Sequence, residues 1–93
     1  MKYIAIFASG NGSNTENIIK YFKSHATIRV SIVLSNHLAA NVLRRANYYD
    51  IDTYCFTKIQ LDKGIVTTML ENRGISLIVL AGFLLKIPKS LII

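Results

Sequence analysis

The hydrophobic and polar positions of this chain follow two alternating patterns along its length. Four short apolar runs are typical of buried strands: Lys2–Ala8, Ile28–Leu34, Thr53–Phe56 and Ile75–Ala81. Between them, apolar residues recur at helical spacing, which predicts three helices: Asn14–Ser24, Ala39–Tyr49 and Leu61–Asn72. Each helix has one apolar face, with the following predicted core positions: Ile18, Ile19, Phe22, Val42, Leu43, Ala46, Ile65, Met69 and Leu70. Gly64 weakens the third helix, and Arg73-Gly74 is predicted to end it.

Strand runs that are apolar throughout and joined by helices indicate parallel strands covered on both faces. Right-handed crossovers then give an α/β fold, a Rossmann-like open doubly wound sheet that is mainly parallel. The most apolar run, Ile75–Ala81, is predicted to be a central strand, and the sheet is expected to be truncated after it. Ligands of such sheets bind at the carboxyl ends of the strands.

The last residues, Leu91-Ile92-Ile93, are apolar, whereas chain ends are usually polar and exposed. We therefore expect residues 1–93 to be the N-terminal part of one domain that is incomplete at its C-terminus. A terminus that docks in a hydrophobic groove is the alternative.

Net charge, apolar run length and the Cys and His content argue against several classes of protein. The net charge is +6, but only Arg44-Arg45 are adjacent basic residues, so nucleic-acid binding is not predicted. The longest apolar run, Leu77–Leu85 with Gly82 inside it, is too short to span a bilayer. A single cysteine, Cys55, fits a reducing cytoplasm and is predicted to be a small buried hydrophobe. No Cys or His recurs at metal-ligand spacing, so no metal site is predicted.

The segment Ser9–Asn14 is the most informative part of the sequence, because it joins a strand to a helix through glycine, serine and asparagine. Gly10 and Gly12 suit a tight loop whose backbone amides, with the helix N-terminus, would bind an anion. The alternative is a capping box between Ser13 and Glu16, which would need no ligand.

A single phosphomonoester fits this short loop better than either kind of nucleotide site does. A dinucleotide fingerprint requires glycine where Thr15 stands and an acidic residue after the second strand, where Ser35-Asn36-His37 offers none. A P-loop requires a lysine directly after the second glycine, and here Gly12 is followed by Ser13. His37 is a candidate base, although an exposed loop histidine is the favoured interpretation, and His25 is expected only to complement a helix dipole.

The stretch "AGFLLKIP" after the last strand has two interpretations. Gly82 would let the backbone approach a ligand, with Phe83-Leu84-Leu85 as an apolar wall, or the stretch is an ordinary strand-to-helix turn.

Three stretches in order, "IAIFASGNGSN", "VLSNHLAANVLRRA" and "ISLIVLAGFLLKIP", resemble phosphoribosylglycinamide formyltransferase over nearly all 93 residues. The resemblance implies transfer of a formyl group from 10-formyltetrahydrofolate to the amine of glycinamide ribonucleotide, in purine biosynthesis. It also implies that Gly12, Ser13 and Asn14 hold the substrate phosphate. The folate pocket would include these residues: Leu84, Leu85, Lys86, Ile87 and Lys63. The family often has Met-Arg where this chain has Leu84-Leu85.

The family's catalytic Asn and His lie in an "N-I-H-P-S-L-L-P" stretch, followed by a later Asp. None of these follows "LAGFLLKIP" here, so the catalysts are expected beyond Ile93 and the 93 residues are expected to be inactive alone. Two alternatives stay open: a stand-alone phosphate-ligand binding module without chemistry, and a hydrolase like formyltetrahydrofolate deformylase. That enzyme has a regulatory domain before its catalytic half and lacks a GNGSN loop.

Overall fold

The protein's structure, a computed structural model, describes residues 1–37 and 40–81 of the 93-residue chain. Within these residues strands and helices alternate as predicted, in the following order: β1 Lys2–Phe7, α1 Ser13–Phe22, β2 Ile28–Ser35, α2 Asn41–Tyr48, β3 Asp52–Cys55, α3 Lys58–Asp62, α4 Ile65–Asn72 and β4 Ile75–Leu80. Outside the third predicted helix, the ends lie within two residues of the predicted ones, and the starts of β1, β2 and β4 coincide with them.

The strands form one four-stranded sheet in the order β3-β2-β1-β4, and every neighbouring pair is parallel. The predicted Rossmann-like α/β fold is confirmed. The central position predicted for the last strand is wrong within the described sheet: β4 lies at its edge, beside β1, and Leu77 is 58% exposed. An apolar run indicates that its faces are suited to burial, whereas the strand order is set by the direction of the crossovers, which reverses at β1.

Each face of the sheet has its own hydrophobic core, because successive side chains of a strand point to opposite faces. Side chains of α1 and α2 cover one face in a cluster of Ile4, Ile6, Ala8, Ile19, Val30, Val33, Val42, Leu43 and Ala46. Side chains of α3 and α4 cover the other in a cluster of Ala5, Phe7, Ile32, Leu34, Phe56, Leu61, Val66 and Leu70. The core positions predicted for the first two helices are confirmed as buried or packed against the first cluster.

The predicted third helix, Leu61–Asn72, is instead two helices. Gly64 adopts a left-handed φ of 80°, which an α-helix cannot contain, so α3 ends before it and α4 begins after it. Because α4 starts at Ile65, its buried face is shifted: Val66 and Leu70 are buried, whereas Ile65, predicted to be in the core, is 48% exposed. The predicted end at Arg73-Gly74 is confirmed, since Gly74 has a φ of 68° and its N–H donates to the Glu71 carbonyl.

The start of α3 is fixed by a capping box that was not among the features predicted from the sequence. The Thr57 side chain accepts a hydrogen bond from the Gln60 N–H at 3.1 Å, and the Gln60 side chain accepts one from the Thr57 N–H at 2.9 Å. The T-x-x-Q spacing is a recognised signal for a helix start, and it places that start before Lys58.

Candidate functional site

The loop from Ala8 to Gly12 lies at the carboxyl edge of the sheet, where the strand order reverses. The Ala8 N–H donates to the Leu34 carbonyl at 3.0 Å, and the Ala81 N–H donates to the Phe7 carbonyl at 2.8 Å. These bonds join the ends of β2, β1 and β4 around the loop. Open parallel sheets bind their ligands in the crevice at such a reversal, so the loop occupies the position expected of a binding site.

Gly12 is required by two independent features of the loop. Its φ is 85°, in the left-handed region that residues with a Cβ rarely adopt. A Cβ placed on it would lie 2.6 Å from the Cα of Val42 and 2.8 Å from its Cγ2. The loop therefore packs directly on the first turn of α2, and the Val42 N–H donates to the Gly10 carbonyl at 3.4 Å.

The N-terminus of α1 carries no side-chain cap within the described residues. Gly12 occupies the N-cap position, and its carbonyl accepts a bond from the Glu16 N–H at 2.8 Å. The capping box between Ser13 and Glu16, the alternative interpretation of the sequence, is therefore absent, and the Glu16 carboxylate is directed to α2 instead. Ser13 and Asn14 are exposed in the first turn, so their backbone amides and polar side chains face solvent at the positive end of the helix.

Two further polar side chains border the loop. Ser9 is 8% exposed, and its hydroxyl donates to the Asn36 side-chain carbonyl at 2.9 Å, which fixes the loop to the end of β2. Thr15 is fully buried in the first turn of α1, and within residues 1–37 and 40–81 its Oγ1 has no hydrogen-bond partner. The position where a dinucleotide fingerprint has glycine is thus filled by a packed side chain.

A polar stripe on α2 connects the loop to α1. Arg45 forms an ion pair with Glu16, and the Tyr49 hydroxyl donates to the other carboxylate oxygen of Glu16 at 2.9 Å. The side-chain amide oxygen of Asn11 accepts a bond from Asn41 at 3.3 Å and a longer one from Arg45 at 3.4 Å. This network was not predicted from the sequence, although positions 41, 45 and 49 are spaced by four and so share one side of the helix.

The network shifts the ionisation of its members. The hydrogen bond from Tyr49, with a further bond and charge from Arg45, holds the pKa of Glu16 below its usual value of 4.5, although partial burial opposes this. Partial burial and the bond to the Glu16 carboxylate together raise the pKa of Tyr49. At neutral pH, Glu16 is a carboxylate whose two oxygens are both bonded from α2.

Three further residues considered in the sequence, His37, His25 and Cys55, lie away from the α1–α2 network. His37 is exposed at the end of β2, and its Nε2 lies 3.5 Å from the Asn36 side-chain nitrogen. His25 does more than follow a helix end, because its Nδ1 accepts the N–H groups of Thr27 and Ile28, each at 3.2 Å. Cys55, predicted to be buried, is only partly so, because it lies in the short outer strand β3.

Of the residues assigned to a folate pocket by resemblance, the structure describes only Lys63. The positions Leu84, Leu85, Lys86 and Ile87 lie outside the described residues. Lys63, expected near the start of a third helix, lies in the turn after the end of α3, where its side chain is exposed. Its folate role stays a prediction.

Across residues 1–37 and 40–81, no group of three or more His, Cys, Asp or Glu side chains is placed to hold a metal ion. Over the same residues, none of the helices has the length and apolar character needed to cross a membrane.

Comparison with known proteins gives a consistent result. The chain is 30% identical, over 99% of its length, to phosphoribosylglycinamide formyltransferase of Bacillus subtilis, and it covers 50% of that protein. It superposes on phosphoribosylglycinamide formyltransferase from Anaplasma phagocytophilum with a TM-score of 0.85 at 32% identity, covering 94% of this chain and 42% of that one. For glycinamide ribonucleotide transformylase 1 from Geobacillus kaustophilus, the TM-score is 0.87 at 28% identity, over 98% and 52% of the two chains. No family model matches the chain.

Proposed function

We propose that this chain, which is related over its whole length to about half of phosphoribosylglycinamide formyltransferase, contains the phosphate-binding part of such an enzyme. The resemblance recognised in the sequence is confirmed by these relatives. The proposed reaction is the transfer of a formyl group from 10-formyltetrahydrofolate to the amine of glycinamide ribonucleotide. The substrate amine nitrogen adds to the formyl carbon, the bond from that carbon to the folate nitrogen then breaks, and the proton lost by the amine is balanced by one gained at the folate nitrogen.

One observation carries the phosphate assignment: α1 begins after Gly12 without a side-chain cap, with Ser13 and Asn14 exposed in its first turn. Unpaired amides at a helix start, with the helix dipole behind them, favour a dianionic phosphate. The alternative capping box would have bonded the Ser13 and Glu16 amides internally, and it is not formed. We propose that Gly12, Ser13 and Asn14 hold the phosphate of glycinamide ribonucleotide.

We assign binding, and no catalytic step, to the described residues. An acyl transfer of this kind needs groups that stabilise an oxyanion and move protons. The stretch that carries the family's Asn, His and Asp is not among these 93 residues. The proposal therefore predicts that the 93-residue chain binds the substrate phosphate weakly and gives no measurable formyl transfer, whereas a detectable transfer rate from the purified chain would contradict it.

The phosphate assignment is tested by calorimetric titration with ribose 5-phosphate, with ribose as the ligand that lacks the anion. Replacing Asn14 with alanine removes one hydrogen bond to a charged group, worth about 1.5–3 kcal/mol, so binding is expected to weaken roughly ten- to hundredfold. Asn17→Ala is the matched control, because Asn17 is exposed on α1 beyond the first turn.

Equal binding by Asn14→Ala and the unaltered chain would refute the role of Asn14. Equal binding of ribose and ribose 5-phosphate would refute the phosphate site itself. A stand-alone binding module would also bind ribose 5-phosphate. It is distinguished by a longer form of the protein that binds the ligand but transfers no formyl group.

A further inference from the structure

The first turn of α1 contains a charge that conflicts with its proposed ligand. Glu16 is the one acidic residue of that turn, and the other four acidic residues of the chain lie near β3 or on α3 and α4. A carboxylate at a helix N-terminus stabilises an empty helix, but it repels a phosphate bound to the same amides. A chain that binds phosphate here therefore has to offset the charge of Glu16.

The structure supplies that offset from α2. Arg45 pairs with one carboxylate oxygen of Glu16, and Tyr49 donates to the other. The pair is only partly exposed, at 31% of the Arg45 side chain and 22% of the Glu16 side chain. A partly buried ion pair is screened less by salt than an exposed one, so it holds the carboxylate toward α2 and reduces its field at the first turn.

Arg45 also contacts the loop on the other side of the helix start. Its second guanidinium nitrogen lies 3.4 Å from the Asn11 side-chain oxygen, which Asn41 contacts at 3.3 Å. A guanidinium presents several donors in a fixed plane, so one side chain can bond two acceptors at a defined separation. Arg45 thus links the residue before Gly12 to the residue that ends the first turn.

We propose that Arg45 is a positioning residue of the phosphate site, which neutralises Glu16 and fixes Asn11 so that the first turn of α1 can accept a phosphate monoester. The inference rests on the phosphate role proposed for the loop. Arg45 acts through Glu16 and Asn11 and does not itself contact the ligand. Its adjacent residue, Arg44, is exposed and carries the same charge, which makes it a matched control.

The test is calorimetric titration of the full 93-residue chain with ribose 5-phosphate at low ionic strength. Arg45→Gln is expected to weaken binding about three- to fifteenfold, because the Glu16 carboxylate would then repel the dianion without a paired positive charge. Adding Glu16→Gln to Arg45→Gln is expected to restore binding to within about twofold, because the charge to be offset is then absent. Arg44→Gln is expected to change binding by less than about twofold, since the Arg44 charge is exposed to water, whose high dielectric constant weakens its interactions.

Several outcomes would overturn the inference. Equal weakening by Arg44→Gln and Arg45→Gln would indicate general attraction by positive charge. A double variant as weak as Arg45→Gln would refute neutralisation of Glu16 as the role of Arg45. If Arg45→Gln does not fold, as judged by circular dichroism, the Glu16→Gln variant is tested alone. Weaker phosphate binding by Glu16→Gln than by the unaltered chain would contradict the proposed repulsion, and binding at least as tight would support it. Failure of the unaltered chain to bind ribose 5-phosphate overturns the phosphate site and this inference together, whereas intact binding by Arg45→Gln overturns the inference alone.

Discussion

Replacing Gly12 with alanine tests whether the loop is held by the core of the protein. Two costs add at this position. A left-handed φ costs a residue with a Cβ about 1–2 kcal/mol, and forcing a methyl group into a packed contact costs about 1–3 kcal/mol. The expected loss is therefore about 2–5 kcal/mol, from a total free energy of unfolding of about 5–15 kcal/mol for a domain of ordinary stability.

Two other glycines separate these costs within the same chain. Gly64 has a φ of 80°, but no atom lies within 4 Å of the place that an alanine methyl group would occupy, so Gly64→Ala is expected to incur only the conformational cost, about 1–2 kcal/mol. Gly10 has neither a left-handed φ nor a neighbour within 4 Å, so Gly10→Ala is expected to change stability by less than about 0.5 kcal/mol. The predicted order of destabilisation is Gly12, then Gly64, then Gly10.

Urea unfolding followed by far-ultraviolet circular dichroism measures the three free energies, with equal m values as the check that the same surface unfolds. If Gly12→Ala loses no more stability than Gly64→Ala, the contact with Val42 does not constrain the loop. If it loses no more than Gly10→Ala, the left-handed conformation and the contact are both refuted.

Two further predictions concern the helix starts and pH. Thr57→Ala is expected to lower the free energy of unfolding by about 1 kcal/mol, since it breaks the capping box of α3. Ser13→Ala is expected to lower it little, because Ser13 lies at the uncapped start of α1. Urea unfolding compares the two variants, and an equal loss in both would contradict the uncapped start of α1. The pKa of Glu16 is lowered in the folded chain, so its stabilising contribution is present above its usual value of 4.5 and is lost as pH falls through the lower folded value. The stability difference between the unaltered chain and Glu16→Gln is therefore expected to be constant near neutral pH and to shrink in acid, and a difference that grows in acid would refute the assignment.

The features predicted correctly from the sequence are mostly local ones. Strand and helix periodicity located the alternating elements, and the glycine of Arg73-Gly74 marked the end of α4 because a single residue sets that turn. The break at Gly64 was underestimated because glycine is tolerated in helices, at a cost, and its left-handed φ follows from the packing of two helices on one face. The edge position of β4 was out of reach because it depends on how all the crossovers turn.

At the candidate site too, a feature formed by residues adjacent in sequence was predicted, whereas contacts between residues distant in sequence were not. The loop around Gly12 was predicted because its glycines and polar residues are contiguous. The contacts of Arg45 with Glu16 and Asn11 join residues 29 and 34 positions apart, and no pattern within one segment specifies them. The capping box that the S-x-x-E spacing offered as the alternative is not formed, and the Glu16 carboxylate is bonded by a partner distant in sequence.

The contact between Gly12 and Val42 has a consequence for motion. Val42 is fully buried in the first core cluster, so the loop cannot lift away unless α2 moves with it. The amides that follow Gly12 are therefore presented in a rigid arrangement before any ligand arrives, and little chain entropy is lost on binding. Hydrogen exchange at the loop should be governed by the opening of α2, not by local fluctuation of a flexible lid.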